Sequence, residues 1–103
     1  MLLQMSFPVE KSNELIRTGE LGKVLEKILK DMKPEAAYFC ATNKGERGGF
    51  IVFDMKDPSQ IPAVAEPLFL KFNATLSLTP AMNVEDLAKA GPGIEKAVKE
   101  FGK

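Results

Sequence analysis

Two stretches of the chain alternate between hydrophobic and polar side chains, and this period of two predicts half-buried β-strands. The first stretch ends at Pro8, and its hydrophobic members are Leu3, Met5 and Phe7, with Gln4 and Ser6 between them. The second has hydrophobic members Phe72, Ala74, Leu76 and Leu78, alternating with Asn73, Thr75, Ser77 and Thr79. Each strand therefore presents one apolar face and one neutral polar face.

A helical period follows the first strand. From Glu10 to Met32 the apolar residues recur at intervals of three and four, which predicts a helix with one buried face. Gly19 and Gly22 predict a break near Thr18, and Pro34 closes the segment because the residue before a proline is pushed out of the helical region.

Two further strands, Ala36 to Thr42 and Gly49 to Met55, flank a turn in which Gly45 supplies a positive φ. We predict an even-length loop, which pairs Phe39 with Phe50 and Ala37 with Val52. Tyr38 and Cys40 then share a face with Ile51 and Phe53.

The remaining helices are predicted from their end signals. Asp57 or Ser59 begins a helix that Pro67 ends or kinks near Glu66, and the alternating strand at Phe72 follows it. Asn83 caps a short helix through Ala90, Gly91-Pro92-Gly93 breaks that helix, and a last amphipathic segment carries Ile94, Ala97, Val98 and Phe101.

The order strand, helix, strand, strand, helix, strand predicts an α+β protein of the ferredoxin-like βαββαβ type, with both helices on one face of a four-stranded antiparallel sheet. We predict a single domain over residues 1–103, in which residues 83–103 form a helical tail. The other face of the sheet displays too many apolar side chains to remain in water. A second copy of the same sheet or the C-terminal helix would cover it, and both remain open at this point.

Composition limits the kinds of binding site that the chain can form. The 103 residues are 45% hydrophobic and 27% charged, and 14 basic residues balance 14 acidic ones, so the basic excess of a nucleic-acid or acidic-membrane binder is missing. The chain has no histidine and a single cysteine, Cys40, which excludes thiolate zinc sites and internal disulfides. We expect a cytoplasmic protein with no metal site and no cofactor.

The candidate ligand-binding residues lie on the uncovered face of the predicted sheet. Neutral hydrogen-bonding groups beside apolar walls are what a small-molecule pocket requires. The alternative is a solvated outer face or a wet contact between subunits. The candidates are Gln4, Ser6, Tyr38, Phe53, Asn73, Thr75 and Ser77.

No catalytic residue is identified. Cys40 lacks a base that would activate it, and it is interpreted as a small buried hydrophobic residue. Asp54 and Glu66 are the carboxylates that could do acid/base work if burial raised a pKa, although surface or capping roles are the simpler interpretation. Lys44 to Gly49 lacks the spacing of a phosphate loop and is interpreted as a solvated hairpin tip.

Two motifs carry a family resemblance: Glu66-Pro67-Leu68-Phe69 followed ten residues later by Thr79-Pro80, and the run from Asp57-Pro58-Ser59-Gln60 to Ala81-Met82. With the element order and short length, they resemble the dimeric α+β-barrel superfamily, its muconolactone-isomerase-like members or small bacterial domains within it. The resemblance implies that two sheets pack face to face. It also implies that a small organic molecule binds in the cleft between sheet and helices or inside the barrel.

From these observations we expect a homodimer formed through the open sheet face. It would bind a small organic molecule or act as an assembly module without catalysis. The alternative is an isomerase- or monooxygenase-like enzyme, which would need Tyr38, Asp54 or Glu66 in the role of histidine. At the proposed contact, Phe53→Lys is expected to prevent pairing while leaving the monomer folded.

Overall fold

A four-stranded antiparallel sheet forms the centre of the molecule in a computed structural model that describes all residues, 1–103. The strands lie in the order β2-β3-β1-β4, so β2 and β4 are the edges. The elements in chain order are β1 (Leu2–Phe7), α1 (Val9–Arg17), α2 (Glu20–Met32), β2 (Ala36–Ala41), β3 (Arg47–Val52), a 3-10 turn (Pro58–Gln60), α3 (Ile61–Phe72), β4 (Thr75–Thr79), α4 (Val84–Lys89) and α5 (Gly91–Phe101). The predicted α+β class is confirmed, and the architecture is compatible with a ferredoxin-like arrangement.

The core lies between α1, α2, α3 and one face of the sheet. Phe7 and Phe72 stack at its centre with their ring centroids 4.6 Å apart. The fully enclosed hydrophobic residues come from the central strands and the three helices: Leu3, Met5, Phe7, Leu15, Leu25, Ile28, Ile51, Phe53, Leu68, Phe72 and Ala74.

Several local signals in the sequence act as predicted. Gly19 has a φ of 76° and separates α1 from α2, and Gly45 has a φ of 73° in the hairpin turn. The Asp57 carboxylate accepts a hydrogen bond of 2.8 Å from the Ser59 backbone amide, and Asn83 caps α4 in the same way through Asp86.

Pro67 was predicted to end or kink the second helix, and the first alternative is wrong. Pro67 lies inside α3, which continues to Phe72, and β4 begins only at Thr75. Burial explains the outcome, because Leu68 and Phe72 on the turns after Pro67 are fully buried, and their packing offsets the hydrogen bond that the proline removes. Asn73 therefore caps α3 in the left-handed region, with a φ of 53°, instead of belonging to the strand.

The predicted register of the hairpin is also wrong. The connection from Thr42 to Glu46 has five residues, an odd number, so Phe39 pairs with Gly49 and Tyr38 with Phe50. A shift of one residue moves every side chain of a strand to the other face. Ile51 and Phe53 consequently point into the core, whereas Phe50 and Val52 lie on the face that was predicted for Ile51 and Phe53.

The molecule is elongated because its C-terminal part stands away from the sheet. Its dimensions are 59 × 27 × 21 Å and its radius of gyration is 17.4 Å, against about 13 Å for a compact chain of this length. We call residues 80–103, which include α4 and α5, the arm. Every residue of the arm is exposed except Ala90 and Gly91, which are half-buried.

The accessible surface is correspondingly large. It measures 7421 Å², whereas a compact monomer of 11.3 kDa exposes about 5,700 Å². Only 15 of the 103 residues are buried. The excess of about 1,700 Å² means that this chain leaves uncovered an area comparable to a protein interface. None of the helices is both long enough and apolar enough to cross a lipid bilayer.

The arm does not cover the open face of the sheet. Tyr38 and Phe50 on that face keep 68% and 39% of their surface exposed. Of the two covers that the sequence left open, the chain's own C-terminal helix is therefore not the one used in the protomer.

Candidate functional site

Four of the predicted polar residues meet in a concavity on the open face of the sheet. β1 and β4 pair so that Gln4 lies opposite Ser77 and Ser6 lies opposite Thr75. These side chains line a cavity of about 370 Å³, which we call the recess. Its other walls are formed mainly by Phe50 of β3, Cys40 and Ala41 at the end of β2, and the hairpin loop residues Thr42, Asn43 and Lys44.

The hairpin loop closes one end of the recess by folding onto Ser6. The Ser6 hydroxyl donates a hydrogen bond of 2.8 Å to Glu46 Oε1 and lies 2.9 Å from Thr42 Oγ1. The loop is held in this shape by its own backbone bonds, from the Thr42 amide to the Glu46 carbonyl and from the Gly45 amide to the Thr42 carbonyl. As a result Ser6 is only 7% exposed, although its face of the sheet is otherwise open.

The other polar groups that β1 and β4 contribute to the recess are accessible. The amide of Gln4 and the hydroxyls of Thr75 and Ser77 belong to exposed residues. They offer hydrogen-bond donors and acceptors without a formal charge, and the ring of Phe50 lies beside them. This combination is suited to a neutral or aromatic organic molecule that carries a few polar atoms.

Three of the predicted ligand-binding residues lie elsewhere. Phe53 is 4% exposed and belongs to the core, so its predicted position on the open face is wrong, and Phe53→Lys would bury a charge in the core instead of testing a contact between subunits. Tyr38 is on the open face but outside the recess. Asn73 caps α3, also outside the recess.

Sequence reasoning missed Phe50 and Glu46. The predicted even-length loop paired Phe50 with Phe39, on the face opposite to that of Tyr38, and the odd spacing of the two strands is the signal that places Phe50 on the open face. Glu46 belongs to what was interpreted as a solvated hairpin tip, yet its carboxylate is half-buried and bonded to Ser6. Only the folded loop brings Glu46 to Ser6.

A larger concavity lies on the opposite side of the sheet, between α2 and the β2–β3 hairpin. Its volume is about 830 Å³, and we call it the groove. No helix lies above the helix-side face of β2, so Phe39 remains 52% exposed there. The principal apolar residues of the groove are Phe7, Val9, Leu21, Leu25, Leu29 and Phe39.

The charged residues of the groove are Glu26, Glu46 and Arg47. The Arg47 guanidinium donates hydrogen bonds of 2.8 Å to Ser12 Oγ and to Asn13 Oδ1, and it thereby ties the hairpin to α1. The groove is thus mainly apolar, and two of its three charged side chains are already hydrogen-bonded, Glu46 to Ser6 and Arg47 to α1.

No family model, no curated protein and no solved structure matches this chain. The function is therefore argued from the two concavities and from the surfaces around them.

The three residues predicted as candidates for acid/base chemistry do not lie in either concavity. Tyr38, Asp54 and Glu66 are exposed and line neither the recess nor the groove. Cys40 is exposed, so its interpretation as a buried residue is wrong, and it borders both concavities. No three Cys, Asp or Glu side chains converge on a position where they would hold a metal ion.

The two carboxylates whose pKa is shifted, Glu20 and Asp57, have structural roles. A hydrogen bond from Lys71, 2.6 Å away, lowers the pKa of Glu20, with a smaller contribution from Thr18. This pair connects the start of α2 to the end of α3. The backbone amide of Ser59 lowers the pKa of Asp57, which caps the 3-10 turn. Neither carboxylate faces the recess.

Proposed function

We propose that this protein is a homodimer, paired through the open face of its sheet, that binds a small neutral or aromatic organic molecule in the recess. The observation that carries this proposal is the convergence of Gln4, Thr75 and Ser77 with Phe50 in a concavity of about 370 Å³ on a face that no helix covers. A second sheet laid over that face would close the recess and exclude water from it.

The apolar surface around the recess supports pairing. Tyr38 and Phe50 lie opposite each other on β2 and β3, and both are exposed. Half-buried Val52 and Leu2 continue the same face toward the other end of the strands. An isologous contact covers such a patch with an identical one, and aromatic residues at its centre are typical anchors.

The fold-level proposal is that the chain has the ferredoxin-like βαββαβ arrangement and belongs with the dimeric α+β-barrel superfamily. It is supported by the strand order β2-β3-β1-β4 with antiparallel neighbours, and by the helices that precede β2 and β4 on one face. The exposed, unpaired thiol of Cys40 favours a reducing compartment, and we propose the cytoplasm.

The decisive experiment combines solution size with native mass spectrometry of the purified protein. In solution we expect a particle with twice the chain mass of 11.3 kDa. In the native mass spectrum we expect either a small molecule retained from expression or one bound molecule per protomer after a compound from a library of neutral aromatic compounds is added. A dimer in which nothing binds would favour the second possibility, an assembly module without a ligand, and would overturn the recess as a binding site.

Two matched pairs of variants separate pairing from binding. Phe50→Lys should give monomers, whereas Phe69→Lys, at a phenylalanine of similar exposure on α3, should leave the dimer intact. Ser77→Val should weaken binding of any retained compound about tenfold by removing a hydrogen-bonding group. Thr79→Val, on the same strand and face but outside the recess, is the control.

A further inference from the structure

The arm contains two short helices that contact each other only where they meet, at half-buried Ala90 and Gly91, and whose apolar side chains are exposed. α4 has 6 residues and α5 has 11, and isolated helices shorter than about 12–15 residues are marginal in water. Their apolar side chains form a stripe at helical spacing. The exposed fractions along this stripe are 85% for Val84, 53% for Leu87, 53% for Ile94, 61% for Val98 and 81% for Phe101. The stripe needs an apolar partner surface before the helices can be stable.

The groove is an apolar surface without a partner, and the arm starts far from the groove of its own chain. The arm leaves β4 after Thr79, which pairs with Leu2 at the beginning of β1. The groove lies at the other end of β1, beside Phe7, and beneath the opposite edge strand, β2. The two are therefore diagonally opposed across the sheet, and in the protomer the arm extends away from it.

We propose that the arm of one copy docks in the groove of a second copy, so that two chains exchange their C-terminal helices. The apolar face of α5, formed by Ile94, Ala97, Val98 and Phe101, then lies against α2 and Phe39 of the second copy. A twofold axis makes the exchange reciprocal, so that the arm and the groove of each chain are both covered.

The area of exposed surface agrees with this occupant. The excess of about 1,700 Å² per chain over a compact monomer corresponds to about 3,400 Å² for a pair. This value falls in the range of obligate homodimers, about 2,000–5,000 Å² in total, and well above the standard interface of about 1,600 Å². A single small ligand in the groove would leave most of the arm in water.

Charge does not distinguish the occupants of the groove. Of its charged residues, Glu46 and Arg47 are already hydrogen-bonded, to Ser6 and to Ser12 and Asn13. The helix α5 carries Lys96 and Lys99 against Glu95 and Glu100 and has no net charge. Docking of the arm therefore depends on its apolar face.

This inference rests on the homodimer of the proposed function but uses a different surface, so the two can fail separately. The test uses full-length chains in which Cys40→Ser removes the native thiol. One chain carries Ala41→Cys at the groove and the other carries Ala97→Cys on the apolar face of α5. The two chains are co-expressed, oxidised or treated with a short bismaleimide, and separated by mass.

We expect a covalent heterodimer of the two single-cysteine chains at a yield at least fivefold above that of a pair with Lys99→Cys, which lies on the polar face of α5. A chain that carries both Ala41→Cys and Ala97→Cys should crosslink mainly between molecules. A predominantly intramolecular crosslink would overturn the exchange, and a yield equal to the Lys99→Cys control would overturn docking in the groove.

Comparison with Phe50→Lys distinguishes the two proposals. If Phe50→Lys gives monomers and Ala41→Cys never links to Ala97→Cys, pairing occurs through the sheet and the arm exchange is wrong. If the link forms and Phe50→Lys leaves the size unchanged, the arm carries the pairing and the sheet contact is wrong.

A second pair of variants tests the docked face of α5 independently. Val98→Ser should weaken dimerisation at least tenfold, whereas Lys99→Ser should leave it unchanged. Equal effects of the two variants would contradict docking through the apolar face.

Discussion

Two adjacent glycines fix the centre of the sheet. A Cβ atom on Gly48 would collide with the carbonyl oxygen of Met5 and would lie 2.6 Å from the Thr42 methyl group, and a Cβ atom on Gly49 would collide with the carbonyl oxygen of Tyr38. Glycine inside a strand is typical of a place where another backbone comes close. The absence of side chains here lets the hairpin loop reach Ser6 and shape the recess.

Gly48→Ala is therefore expected to lower the free energy of unfolding by about 2 kcal/mol or more, because the backbone of two strands must move. Gly22→Ala is the matched control, since its added methyl group meets nothing within 4 Å and replaces a glycine inside α2. The control should stabilise the protein by about 0.5–1 kcal/mol. Urea unfolding of both variants measures the difference, and similar values for the two would contradict the close approach at Gly48.

The Glu20–Lys71 pair predicts a pH dependence. The lowered pKa means that folded Glu20 stays charged to a lower pH than it does in the unfolded chain, so its contribution is present above its ordinary value of 4.5. That contribution is lost as the pH falls through the lowered pKa of the folded state. Glu20→Gln should therefore reduce the melting temperature more at pH 7 than at pH 2.

The control for this pair is Glu66→Gln, which changes an exposed carboxylate on α3 outside any ion pair. Its melting temperature should follow that of the unmodified protein at both values of pH. High salt should reduce the effect of Glu20→Gln at pH 7, because the pair is on the surface. A loss of stability of Glu20→Gln that is equal at pH 2 and pH 7 would rule out the ion pair as its cause.

At the scale of the elements, the hairpin register decides which residues reach the core. Ile51 is fully buried on β3, so Ile51→Ala should cost about 2–5 kcal/mol of unfolding free energy. Ile61→Ala, at an isoleucine that is 41% exposed at the start of α3, should cost less than about 1 kcal/mol. Chemical denaturation measures both. A small loss of unfolding free energy in Ile51→Ala would instead support the register that the sequence pattern predicted.

The sequence was informative where one local signal decides the structure. The break at Gly19, the turn at Gly45 and the caps at Asp57 and Asn83 each depend on a residue whose preference agrees with its surroundings. It failed at Pro67 and at β3, where packing decides. Leu68 and Phe72 hold a helix past a proline, and both faces of β3 carry apolar residues, so alternation alone could not select its inner face.

The candidate site was predictable to the same extent. Gln4, Ser6, Thr75 and Ser77 follow from alternation on β1 and β4, and the structure brings all four together. Phe53 was misplaced because its position depends on the length of a loop that the sequence pattern does not define. The groove was not predictable, since it exists only because no helix covers β2.

At the scale of the whole molecule, the arm should make protease sensitivity depend on protein concentration. Trypsin cleaves after Lys89, Lys96 and Lys99 when the helices are undocked and unfolded. Dilution favours the separated chains by mass action. Cleavage in the arm should therefore accelerate at least severalfold between high and low micromolar protein, as followed by mass spectrometry at a fixed trypsin concentration.

Arg47 provides the internal control in the same digest, because it lies in a paired strand and its side chain is anchored to α1. Cleavage after Arg47 should remain slow throughout the concentration range. A rate of cleavage in the arm that does not change with protein concentration would contradict docking of the arm on a second chain.

The odd number of residues between β2 and β3 has a consequence for how this protein can diverge. Adding or deleting one residue between Thr42 and Glu46 would turn β3 over and expel Ile51 from the interior. The connection from Pro80 to Asn83 leads to an arm that the sheet does not constrain. Homologous chains should therefore keep the hairpin connection at constant length and accumulate insertions and deletions after Thr79.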